Sequence, residues 1–153
     1  MQGASLTASA IITFAETLEE DSAKFYERLA SKHLQNADLF LSFSKQCKSD
    51  KKLIVLTYRE TITDALEACF SFEGVVLPEI SLAEIGTETT FSQDLMIAIE
   101  FERIAVSFYT NMLNCSKALL STISKSFEKV SERREKRRQQ METLLDNLHS
   151  KNR

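Results

Sequence analysis

Two stretches decide the fold: Phe14-Ala-Glu-Thr-Leu-Glu-Glu-Asp-Ser-Ala-Lys-Phe-Tyr-Glu-Arg-Leu-Ala30 and Ile97-Ala-Ile-Glu-Phe-Glu-Arg-Ile-Ala-Val-Ser-Phe-Tyr109. Around the first, Ile11, Phe14, Leu18, Phe25 and Leu29 recur at spacings of three, four and seven, with Ala15 and Ser22 on the same side. Glu16, Glu20, Lys24, Glu27 and Arg28 fall mostly on the other side. One apolar stripe on a 3.6-residue period predicts an amphipathic helix from about Ala10 to His33, with Thr7 or Ser9 as N-cap.

Working outward, the polar stretch from His33 to Asp38 is short enough to join neighbouring helices. A second helix is expected over about Ala37 to Phe70, roughly 50 Å long. Its apolar positions are Phe40, Phe43, Cys47, Leu53, Ile54, Leu56, Tyr58, Ile62, Leu66 and Cys69. Between Ser71 and Thr90 the pattern breaks: the one proline, Pro78, lies there with Gly74 and Gly86. That stretch exceeds the needs of a helical hairpin, and its Val75, Val76, Leu77, Ile80, Leu82 and Ile85 suit packing along a bundle. A third helix opens near Thr90 or Ser92 and runs to about Cys115, with Phe91, Leu95, Ala98, Phe101, Ala105, Phe108, Met112 and Cys115 as its stripe. The fourth covers about Ala118 to His149. The expectation is a single all-α domain over residues 1–153, an antiparallel four-helix bundle with one long crossover between helices two and three.

Composition narrows the function classes. A net charge of −3 argues against nucleic acid and anionic membrane as partners. No apolar run approaches the ~18 residues of a membrane span, and the N-terminus has no basic region of the signal-peptide kind. Cys47, Cys69 and Cys115 form no CxxC pair and read as reduced thiols of a cytoplasmic protein, with Cys69 and Cys115 as core fillers. The basic run Arg133, Arg134, Lys136, Arg137 and Arg138 is interrupted by Glu135 and has no interleaved aromatics. It reads as a solvated face, part of it turned inward, rather than a nucleic-acid surface. His33 and His149 are expected at the surface.

The chain also repeats itself. Phe25-Tyr26 and Phe108-Tyr109 are its two Phe-Tyr pairs, 83 residues apart, and the same offset relates Glu19 to Glu102 and Ala15 to Ala98. An offset of 87 relates Phe40 to Phe127 and Ser44 to Ser131. The pattern is that of a duplicated helical hairpin.

The two opening segments resemble the first and third helices of rubrerythrin-like proteins of the ferritin-like superfamily, which carry a Glu seven residues before the Tyr of a Phe-Tyr pair. Here those residues are Glu19 and Glu102. The segment from Phe127 to Met141 is similar to the fourth helix of that family. The resemblance implies a di-iron site in the bundle core, with one Glu from each of helices one and three and a Glu-x-x-His pair from each of helices two and four. Positions i and i+3 share a helix face, which lets such a pair grip one metal.

This chain departs from the pattern at those pairs. Registered on Phe127, the fourth helix puts Arg134 and Arg137 there; registered on Phe40, the second puts Cys47 and Asp50 there. No Glu-x-x-His occurs in either. Guanidinium is permanently charged and has no lone pair to give a metal. Glu19, Glu102, Asp50 and Cys47 are therefore read as vestigial metal positions, with Arg134 or Arg137 reaching Glu19 or Glu102 to replace metal bridges by ion pairs. Tyr26 and Tyr109 line the site in the family, but at helical spacing they read more simply as core.

Two function classes remain. One is a non-catalytic ferritin-like bundle, a structural or interaction module without cofactor, expected as a homodimer with a protein partner unspecified. The other is a divergent metalloprotein that binds or oxidises iron through Glu19, Asp50 and Glu102, or holds zinc with Cys47, Asp50 and Glu19.

Overall fold

The computed structural model describes residues 6–61, 71–72, 77–78, 86–116 and 121–151. Four helices pack against one another: α1 (Ala8–Lys32), α2 (Ala37–Thr61), α3 (Phe91–Ser116) and α4 (Ser121–Lys151). A two-residue antiparallel pairing joins β1 (Leu6–Thr7) to β2 (Ser71–Phe72), with Leu6 opposite Phe72. It is the only departure from all-α structure among the described residues.

Local chemistry sets the helix ends. Thr7 caps α1, its hydroxyl accepting from the Ala10 N–H at 3.1 Å. α1 closes at His33, whose N–H donates to the Leu29 carbonyl, and the 3-10 turn Leu34–Asn36 leads into α2. Thr90 and Gln93 form a capping box at the start of α3: the Thr90 N–H donates to Gln93 Oε1 at 2.9 Å, and the Gln93 N–H to Thr90 Oγ1 at 3.1 Å. Beside it, Asp94 accepts from Lys32 at 2.8 Å and lies 2.6 Å from His33 Nε2. Lys32 also donates to the Gly86 carbonyl, tying the approach to α3 onto the end of α1. Burial alone would raise the Asp94 carboxyl, but hydrogen bonds from Lys32, Thr89 and His33 hold it below its ordinary value.

Some sequence expectations change. His33 is not a surface histidine; it is half-buried against Asp94 and the Phe91 ring. On α2, Leu56 is 55% exposed while its neighbour Thr57 is buried. The inward face follows Phe43, Cys47, Asp50, Ile54 and Thr57, and a position one residue off that line is turned by about 100°. Of the crossover, Leu77 packs against the core. Residues 62–70, 73–76, 79–85 and 117–120 lie outside the described residues. With them go Ile62, Leu66, Cys69 and most of the apolar crossover; the Cys115 side chain is likewise not described.

The core has two apolar clusters. One gathers Ile11, Ala15, Leu18, Ile54, Phe101, Phe108 and Phe127; the other gathers Phe25, Leu29, Phe40, Phe43, Leu95, Ala98 and Met141. Along each helix a polar position interrupts the run from one cluster to the other: Glu19, Asp50, Glu102 and Arg134 with Arg137. All five are buried.

Candidate functional site: a buried guanidinium–carboxylate ring

Arg134 joins the two glutamates. Its Nε and Nη2 donate to Glu19 Oε2 at 3.0 and 2.8 Å, and its Nη1 donates to Glu102 Oε1 at 2.7 Å. Nη2 also donates to Ser22 Oγ at 2.8 Å, and Ser22 in turn donates to the Leu18 carbonyl. Arg137 donates from Nε to Glu102 Oε2 at 2.9 Å and from Nη1 to Gln46 Oε1 at 2.9 Å. Both arginines are fully buried. Aromatic rings lie against the guanidinium groups: the Arg134 Cζ is 5.6 Å from the Phe101 centroid, the Arg137 Cζ 5.7 Å from that of Tyr26. Such faces favour a desolvated cation.

The tyrosines cross between the repeats. Tyr26 of α1 donates to Glu102 of α3, and Tyr109 of α3 donates to Glu19 of α1 at 2.6 Å. Burial, then the adjacent carboxylate, pushes both phenols well above their ordinary value, so they stay neutral donors. For Glu102, burial acts to raise the carboxyl, but Arg134 and Arg137 outweigh it and hold the group ionised. Burial also opposes the Arg134 charge, and Glu102 and Glu19 overcome it.

The second helix supplies a different half. Asp50 accepts from Arg133, whose side chain is part-exposed. Despite that partner, burial and the neighbouring Glu19 charge push the Asp50 carboxyl up to about 6. Cys47 is a free, buried thiol, and burial pushes it up to about 12 even though Arg137 and Arg134 act to lower it. A thiol so raised is a weak nucleophile and a poor metal ligand at neutral pH.

Of the site residues expected from the sequence, Glu19, Glu102, Arg134 and Arg137 join by direct hydrogen bonds, whereas Asp50 bonds Arg133 and Cys47 is a buried thiol. Sequence reasoning missed Ser22 and Gln46 as partners, the crossed tyrosines, and the Arg133–Asp50 bond. The offsets of 83 and 87 contained a signal for the last two: they carry Asp50–Arg133 onto Arg137–Gln46, and Tyr26–Glu102 onto Tyr109–Glu19. His149 is exposed and remote in sequence from the ring on α4.

These residues do not fit a di-metal centre. Three of the four glutamate oxygens already accept from arginine or tyrosine. Arg134 and Arg137 bring fixed positive charge into the space between these carboxylates. Among the described residues, no three of His, Cys, Asp and Glu gather in a way that could hold a metal ion. No helix among them is long and apolar enough to cross a membrane. Compared with known proteins, the sequence matches no family model and no curated protein.

Proposed function

We propose that this chain is a ferritin-like bundle of rubrerythrin type in which arginine–carboxylate pairs have taken the place of metal bridges, and that it acts without redox chemistry as a structural or interaction module. The observation that carries the reading is Arg134 bonded at once to Glu19 and Glu102, in the fully buried centre of the bundle.

The order of contacts supports an antiparallel arrangement. On α1 and α2, Glu27 meets Lys48 and Glu20 meets Lys51. On α3 and α4, Tyr109 meets Phe127 and Glu102 meets Arg134. On α1 and α3, Tyr26 meets Glu102 and Glu19 meets Tyr109. On α2 and α4, Thr57 meets Ser126, Asp50 meets Arg133 and Gln46 meets Arg137. In every pair one number rises as the other falls. α2 and α3 then run the same way, the orientation expected of the one-crossover connectivity of ferritin-like folds.

The test is metal content and oxygen chemistry. Protein purified from iron- and zinc-supplemented medium is expected to hold no stoichiometric metal. Anaerobic ferrous addition followed by oxygen is expected to give no oxo-bridge absorption. A metal-loaded bundle or that absorption defeats the reading. The working form proposed is a cytoplasmic homodimer; Leu34, Leu41, Leu56 and Met96 are exposed apolar side chains available to such contacts, and sedimentation equilibrium reads the oligomeric state.

A further inference from the structure

The two halves of the ring are unequally satisfied. Around Glu102, Arg134, Arg137 and Tyr26 take both carboxylate oxygens. Around Glu19, all three donors converge on Oε2, from Arg134 Nε, Arg134 Nη2 and Tyr109. Glu19 Oε1, Asp50 Oδ2 and Arg137 Nη2 have no hydrogen-bond partner among the described residues, and all three side chains are fully buried.

The internal repeat relates these atoms. Asp50 stands to Glu19 as Arg137 stands to Glu102, and its other oxygen is already held by Arg133 just as Arg137 is held by Gln46. Where Arg137 presents a donor to a carboxylate, Asp50 presents a second acceptor. The Asp50 carboxyl is within electrostatic reach of both Glu19 and Arg137. A buried polar group that stays unpaired destabilises the fold, because its bond to water is lost without replacement.

We propose that Glu19 Oε1, Asp50 Oδ2 and Arg137 Nη2, three orphaned atoms of one buried ring, form a site for one water molecule. Charge and valence select the ligand. A cation meets the Arg137 guanidinium, and an anion meets two carboxylates. Water is neutral, with two protons for the two acceptors and a lone pair for the guanidinium donor. Three hydrogen bonds are what a buried water typically makes. The inference goes beyond the proposed function and rests on the same arginine-filled ring.

A crystal structure of the full chain that resolves ordered water is expected to place one peak roughly 2.6–3.2 Å from all three atoms, without anomalous signal at the iron or zinc edge. An empty position, or Asp50 Oδ2 in direct contact with Glu19 Oε1, overturns this site and leaves the functional reading intact. A metal ion there overturns both. In solution, water-to-protein cross-relaxation at the Glu19 γ-protons is expected for the unmodified chain, to persist in Asp50→Asn, whose amide oxygen still accepts, and to be lost in Asp50→Leu. Cross-relaxation that survives Asp50→Leu counts against the site. Should that variant not fold, the crystallographic peak in the unmodified chain decides alone.

Discussion

Arg134→Met is the most informative single change to the ring. Methionine keeps an unbranched apolar stem against Phe101 and Tyr109 while removing the charge and all four donated hydrogen bonds. Glu19 then keeps only the Tyr109 hydroxyl, and Glu102 keeps Arg137 and Tyr26. Breaking a buried pair by deleting one partner costs about 3–5 kcal/mol, because the remaining charge is uncompensated. A domain of this size has a total stability of about 5–15 kcal/mol, so the variant should be weakly folded, with a Tm lowered by on the order of 10 °C. Urea unfolding followed by far-UV circular dichroism measures the loss; urea is uncharged and leaves ion pairs unscreened. The comparison protein removes both charge signs and the hydroxyls that depend on them, with Glu19→Leu, Glu102→Leu, Arg134→Leu, Arg137→Met, Tyr26→Phe and Tyr109→Phe. Removing both signs together is expected to be neutral or stabilising. A loss below about 1 kcal/mol in Arg134→Met, the range of a surface pair, refutes the reasoning.

Other expectations concern the same ring. Asp50 has a folded pKa of about 6, against an ordinary value of 3.8. Its ionisation therefore removes stability as pH rises through that window, by about 3 kcal/mol at the upper end. Asp50→Asn should unfold at a higher urea midpoint than the parent at pH 7 and lose that advantage below pH 4; an equal advantage at both ends disproves the assignment. Glu102 works in the opposite sense: held below its ordinary value, it stabilises above that value, and its contribution fades as pH falls through the folded pKa. Cys47, buried with its thiol raised to about 12, should resist iodoacetamide in the native state and react in urea, read by peptide mapping; native labelling at the denatured rate contradicts its burial. Arg134→Glu together with Arg137→His installs a Glu-x-x-His pair beside Glu19 and Glu102, and should create an equimolar zinc site measurable by calorimetry, with no such binding expected of the parent.

Much of this ring was legible in the sequence because helical spacing is rigid. Once Phe127 set the register of α4, Arg134 and Arg137 had to share a face, and the repeat aligned Glu19 with Glu102. What spacing does not encode is which neighbour a side chain selects. Tyr26 and Tyr109 read as ordinary core, since a phenol buried among Phe25, Phe40 and Phe43 has the same period whether or not its hydroxyl finds a carboxylate. Arg133 belonged to a basic run that read as a solvated face, yet it reaches the buried Asp50. Leu56 and Thr57 reversed the hydrophobic expectation because Thr57 finds a hydroxyl partner in Ser126. Hydrophobicity ranks the two residues one way, and helix rotation the other.

The crossed tyrosines carry a consequence for how this molecule can change over generations. Each hairpin completes the carboxylate of the other, so neither half of the repeat is free to drift alone. Losing Glu19 strands the Tyr109 hydroxyl and part of Arg134 in a dry interior, and losing Tyr26 weakens the hold on Glu102. Tolerated substitutions here should therefore arrive as matched sets spanning both halves of the gene, and the ring should move through evolution as a single heritable character.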